Sequence, residues 1–166
     1  MGTRELLFDS LYQEHFEAVY GYLNLCFSKE LAEDLTQQVF LQAWKSLNDY
    51  PDFAPQKGRA WIFRITINVK NDALRHKQRS VPTLPEEQAE WKSYNQSEED
   101  MDEGILVQMA FERLSQEERE LLAMKNMGFS SGEIGMLLGI TASAVRSRIA
   151  SAKEHFRNML QDCGVM

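Results

Sequence analysis

Proline is scarce in this chain and unevenly placed. The four prolines fall in two short segments, 51–55 and 82–85, so no pyrrolidine ring interrupts the long stretches before, between and after them. Cysteine is scarcer still. Cys26 and Cys163 stand far apart and make no metal-type or redox-type spacing. A disulfide between them is disfavoured in a reducing compartment, and Cys26 reads as a small core hydrophobe. His15, His76 and His155 are likewise isolated, which argues against a metal site. There is no phosphate-binding glycine loop and no nucleophile elbow, so neither an enzyme, a cofactor nor a small-molecule substrate is expected. No apolar run is long enough to cross a bilayer, and the N-terminus lacks the basic start and apolar centre of a signal peptide. The expectation is a cytoplasmic chain with no membrane insertion.

What is present is charge, arranged in blocks. The 166 residues carry a net charge of −7, which speaks against a general nucleic-acid binder. The distribution changes that view. Residues 1–56 hold nine acids and three cations, whereas residues 57–79 hold seven cations and one acid. Residues 86–103 return to eight acids and one lysine, and residues 141–157 carry four cations and one acid. The two basic blocks are footprints that a phosphate backbone could use.

Strand signals are weak, and nearly every patterned stretch runs at helical spacing. A first helix is expected over about 4–27, with Leu7, Leu11, Ala18, Tyr22 and Cys26 near one face. A second starts near Lys29, with Ala32, Leu35, Val39, Ala43 and Leu47 as its stripe, and stops before Pro51. Residues 51–58 are a loop. A third covers about 59–78, with Ile62, Ile65, Val69 and Ala73 inward; its β-branched content keeps strand open locally, and length and spacing decide for helix. Residues 80–103 hold two prolines, many acids and few aliphatics, and read as a flexible acidic linker in which Trp91 and Tyr94 could dock.

A second helical unit follows. One helix starts near Ile105. Ser115 and Glu118 form a capping-box pattern opening a helix to about Asn126, which Gly128 ends; Ser130 and Glu133 form another. The short helix after Ser130 carries Ile134, Leu137 and Leu138. Gly139, Ile140 and Thr141 make a turn with an N-cap, and a last helix runs over about 142–160 with Val145, Ile149, Ala152 and Phe156 inward. Residues 130–157 thus have the layout of a helix-turn-helix. The outer face of the last helix offers Thr141, Ser143, Ala144, Arg146, Ser147 and Ser151, small and hydrogen-bonding as a major groove requires. A helical hairpin with an ordinary solvated face is the bland alternative. Capping, turn glycine and basic helix together favour DNA.

The segment GFSSGEIGMLLGITASAVRSRIASAKEHFR resembles the C-terminal DNA-binding domain of extracytoplasmic-function (ECF) RNA polymerase sigma factors. AEDLTQQVFLQAWKSL (32–47) is similar to the polymerase-binding helix of their N-terminal domain, and GRAWIFRITINVKNDALRHKQR (58–79) to the adjoining segment that engages the minus-ten element. The three occur in family order. The resemblance implies an all-α protein of two small helical domains joined by an acidic flexible linker. Residues 1–79 would be sigma domain 2, 80–104 the linker and 105–166 sigma domain 4, whose helix-turn-helix reads the minus-thirty-five element.

The resemblance also implies partners and site residues. Core polymerase would be met through the clamp helices of its largest subunit by Asp34, Gln37, Gln38, Phe40, Leu41 and Trp44. Minus-ten DNA would be met by Phe53, Lys57, Arg59, Trp61, Arg64, Asn68, Lys70, Asn71, Arg75, Lys77 and Arg79, with the loop 53–59 receiving a flipped base. Trp61 and Phe63 could stack on a base or fill the core, and the core reading leads for both. Minus-thirty-five DNA would be met by Thr141, Ser143, Ala144, Arg146, Ser147, Arg148, Ser151 and Lys153. Ser151 departs from the family, which often has a basic or bulky group there. An anti-sigma factor clasping both domains is a further expected partner. The linker would thread the RNA-exit path and repel free DNA. The competing readings are a stand-alone helix-turn-helix regulator, which leaves the block at 53–79 unexplained, and a sigma-like decoy that binds polymerase without opening DNA.

Overall fold

The computed structural model describes residues 2–47, 58–79 and 103–164. Among them are seven helices and no strand: α1 (Thr3–Cys26), α2 (Lys29–Ser46), α3 (Gly58–Arg79), α4 (Glu103–Glu112), α5 (Gln116–Asn126), α6 (Ser131–Leu138) and α7 (Ala142–Asp162). The chain divides into two units, Met1–Ala89 and Glu90–Met166. Of the expected loop 51–58, residues 51–57 lie outside the described residues, as does most of the expected linker, with Trp91 and Tyr94; Gly58 is the first residue of α3 rather than part of the loop.

In the first unit, α1, α2 and α3 all pack on one another. Leu11, Val19, Leu23, Leu35, Val39, Ile62 and Phe63 are buried at their centre, so Phe63 is core. Ser28 caps α2, its hydroxyl accepting from the Leu31 amide at 3.4 Å. Thr36 and Thr66 are fully buried yet satisfied, because each hydroxyl donates to the carbonyl one turn earlier, Ala32 at 2.6 Å and Ile62 at 2.8 Å. The β-branched stretch of α3 is helical because its 3–4 spaced apolar face packs against α1 and α2, which overrides its strand propensity.

α1 carries a second stripe beyond the expected one. Phe8, Tyr12 and Phe16, spaced by four, gather around Phe40 of α2 with ring centroids 4.9 to 6.4 Å apart. Arg4 lies over the Trp44 ring at 3.9 Å and donates to the Trp44 carbonyl at 2.5 Å, pinning the start of α1 to the end of α2.

In the second unit, α7 packs against α4, α5 and α6. Val145, Ile149 and Ala152 of α7 are buried, as are Ala110, Leu121, Met124, Phe129 and Ile134 of this unit. Ser130 and Glu133 form the full reciprocal capping box. Ser115 and Glu118 form half of one. The Ser115 hydroxyl accepts from the Glu118 amide at 3.2 Å, but the Glu118 carboxylate returns to that hydroxyl and reaches His155 of α7 at 3.1 Å instead of the cap amide.

Both expected turn glycines have positive φ, 96° at Gly128 and 73° at Gly139. Each is followed by an apolar residue whose amide closes a wider ring, Phe129 to the Met124 carbonyl and Ile140 to the Gly135 carbonyl. Gly135, which the sequence pattern does not single out, is equally constrained. A Cβ there would lie 2.6 Å from the Ile140 carbonyl oxygen, so the α6–α7 turn closes only over a bare backbone.

Candidate nucleic-acid interface

On α3 the exposed residues Arg64, Asn68, Asn71 and Arg75 follow one another at spacings of four, three and four, which places them on one face. The opposite face carries the buried Ile62, Thr66 and Val69. This face offers two guanidiniums and two amides to solvent; Arg75 is paired with Asp72 one turn before it. Arg59 and Trp61 are half-buried at the start of the helix.

Lys70 corrects the sequence reading. It is 6% exposed, and its Nζ donates to the Tyr22 phenol at 3.1 Å. At two residues past Asn68 its side chain points inward, so it cannot share the solvent face with Arg64 and Arg75. Phe53 and Lys57 lie outside the described residues, as do the side chains of Lys77 and Arg79.

On α2, Asp34, Gln37, Gln38 and Leu41 are exposed together. Leu31 extends the row one turn earlier; it and Leu41 are exposed apolar residues on this outer face. Leu31, the i−3 neighbour of Asp34, is a residue that sequence reasoning missed although its spacing could have found it. Phe40 corrects the sequence reading a second time. It is 3% exposed, its ring consumed by the aromatic cluster on α1, because position 40 falls on the core stripe with Thr36 and Ala43. Trp44 is half-buried beneath Arg4. Leu35, Gln38, Val69, Asp72 and His76 line a shallow groove where α2 meets α3.

The second unit presents the outer face of α7. Thr141 caps the helix, its hydroxyl accepting from the Ala144 amide at 3.0 Å. Thr141, Ser143, Arg146, Ser147 and Ser151 are exposed and Ala144 half-buried. Ser143, Ser147, Ala150 and Ser151 form a ridge of short side chains opposite the buried Val145–Ile149 line, so a groove floor can approach the helix closely. Basic side chains stand on both flanks. Arg146, Lys153 and Arg157 occupy one, and Arg148 and His155 the other, facing α5. Arg157 was missed by sequence reasoning although it lies eleven residues, three turns, after Arg146. Arg148 Nη1 is 2.5 Å from the Glu117 carboxylate and His155 Nδ1 is 3.1 Å from that of Glu118.

No helix among the described residues is long and apolar enough to cross a membrane, and no group of His, Cys, Asp or Glu among them could hold a metal.

Comparison with known proteins places both units. Residues 11–80 match the family model Sigma-70 region 2, and residues 105–156 match Sigma-70, region 4. The ECF RNA polymerase sigma factor SigE of Mycolicibacterium smegmatis is 32% identical over 159 residues, which are 92% of this chain; the match spans 61% of that longer relative. RNA polymerase sigma factor CarQ of Myxococcus xanthus is 31% identical, with 92% of this chain and 88% of the relative covered. Among solved structures, the sigma factor RpoE of Bartonella quintana, in complex with the anti-sigma factor NepR, superposes with a TM-score of 0.67 at 22% identity over 93% of this chain and 96% of that one. CnrH, in complex with the cytosolic domain of CnrY, gives 0.60 at 23% identity over 93% and 88%.

Proposed function

The chain belongs to the ECF group of sigma-70-family RNA polymerase sigma factors, and on that premise we propose that it binds core polymerase, brings it to a specific set of promoters and assists their opening. The observation that carries this reading is the conjunction of two exposed faces with their two family segments. The Arg64–Asn68–Asn71–Arg75 face falls within the region 2 match, and the Ser-rich ridge of α7 falls within the region 4 match.

Each face suits its task. Opening a promoter needs cations on the backbone of a separated strand and amides that can meet unpaired base edges, and the α3 face offers both. Reading a duplex needs a capped helix with short side chains that enters the major groove, which α7 is. The α2 row of Leu31, Asp34, Gln37, Gln38 and Leu41 combines apolar anchors with acids and amides, which suits a partner helix such as the polymerase clamp. We place residues 1–79 in the polymerase-binding, minus-ten domain and residues 105–166 in the minus-thirty-five domain, with the acidic segment between them following the RNA-exit path. An anti-sigma protein is the fitting regulatory partner, since the similar RpoE is in complex with the anti-sigma factor NepR and the similar CnrH with the cytosolic domain of CnrY. The setting is the cytoplasm.

The test is run-off transcription with bacterial core polymerase over a genomic promoter pool. A sigma factor programs core to start at discrete sites; a stand-alone regulator leaves core silent, and a decoy binds core without transcripts. Either of the last two results would overturn the reading.

A further inference from the structure

The two flanks of α7 are electrostatically unequal. On one flank Arg146, Lys153 and Arg157 are all exposed, and none makes an ion pair with a described residue. They recur at seven and eleven residues from the first, so they form a row along about 16 Å of a helix rising ~1.5 Å per residue. On the other flank the guanidinium and the imidazole are both engaged by α5. Arg148 meets Glu117 at 2.5 Å and His155 meets Glu118 at 3.1 Å. Both carboxylates stand in the first turn of α5, where the helix dipole favours them, so they are held at α7 by a cause independent of DNA.

A phosphate approaching Arg148 would therefore meet a carboxylate beside the cation. Exposed pairs of this kind contribute little to folding, yet they cancel the charge that a polyanion would feel. From this we infer that α7 grips phosphate along one flank only, through Arg146, Lys153 and Arg157, and that Glu117 withholds Arg148 from the DNA. Glu117 is thus a positioning residue, acting through Arg148. The assignment rests on the minus-thirty-five role proposed above; it removes Arg148 from the contacts that the family resemblance implies and adds Arg157.

Salt dependence separates the flanks. Each phosphate neutralised contributes about 0.9 to the slope of log affinity against log salt. The probe is a promoter fragment that holoenzyme selects from a randomised pool, titrated against holoenzyme over roughly 50 to 200 mM salt, the range in which such contacts are lost. Arg157→Gln is expected to lower the slope by about 0.9, Arg157→Lys to preserve it, and Arg148→Gln to leave it unchanged. Glu117→Gln is expected to raise it by about 0.9, and adding Arg148→Gln to that variant to cancel the gain. A loss of slope with Arg148→Gln equal to that with Arg157→Gln, or no effect of Glu117→Gln, would overturn the assignment while leaving the sigma reading standing. Holoenzyme that selects no DNA would overturn both.

Discussion

Lys70 Nζ of α3 donates a hydrogen bond to the Tyr22 phenol of α1 across 3.1 Å, with both side chains buried. A cation counted on sequence grounds among the DNA-binding groups is therefore a strut between two core helices. Lys70→Ala removes a donor to a buried hydroxyl, a destabilising change of about 1–3 kcal/mol, and also leaves space in the core. The expected outcome is a clear fall in urea midpoint for Lys70→Ala and almost none for Arg64→Ala, whose side chain is exposed. Equal midpoints would contradict the placement of Lys70.

Phe40 and Leu41 are adjacent on α2 and should behave oppositely. Phe40→Ala empties the centre of the Phe8–Tyr12–Phe16 cluster and is expected to destabilise the first unit by about 3–5 kcal/mol. Leu41→Ala should leave the melting temperature near that of the parent and weaken capture of core polymerase by about fivefold, as expected of an anchor worth about 1 kcal/mol. Thermal melts and a core-polymerase binding titration read the two effects separately.

Gly135→Ala would force the α6–α7 turn apart, because its Cβ meets the Ile140 carbonyl at 2.6 Å. The expected loss is about 1–3 kcal/mol, as for other overpacked sites. Gly139→Ala, with φ of 73° and nothing near the added carbon, should lose only the conformational term of about 1–2 kcal/mol. Urea denaturation of the two variants tests the order.

His15 makes the first unit sensitive to acid. Burial is the main cause that lowers its pKa below the ordinary 6.5; Glu14 opposes the shift and Arg59 adds to it. The unfolded chain therefore takes up this proton at higher pH than the folded one. The resulting stability is complete above the ordinary histidine value and is lost as pH falls through the lowered one. Melting temperature should drop as pH falls below the ordinary histidine value of 6.5, and His15→Gln should flatten that drop. An unchanged slope in the variant would show that other groups carry it.

The helices and caps were largely legible because each depends on neighbours in sequence: Ser130 with Glu133, Thr141 with Ala144, Gly139 at the end of α6. The exposed α7 ridge was legible for the same reason. What escaped depends on partners far along the chain. The hydrogen bond between Lys70 and Tyr22 spans 48 residues and the Arg148–Glu117 contact 31, and no local spacing announces either. Phe40 shows a different limit. The resemblance grouped it with Leu41 and Trp44 as a polymerase contact, and the sequence alone did not disclose that a second aromatic stripe on α1 would absorb it. Gly135 was invisible because its constraint is the closeness of a backbone that only the folded turn supplies.

The central claim is that the exposed α3 face holds one strand of opened DNA while polymerase holds the protein. Permanganate reactivity of unpaired thymines in holoenzyme–promoter complexes reads this directly. Arg64→Gln combined with Arg75→Gln spares the buried Lys70, so the first unit should stay folded and still bind core. The account predicts that this variant forms closed complexes whose thymines stay unreactive. Thymines as reactive as with the parent chain would contradict it.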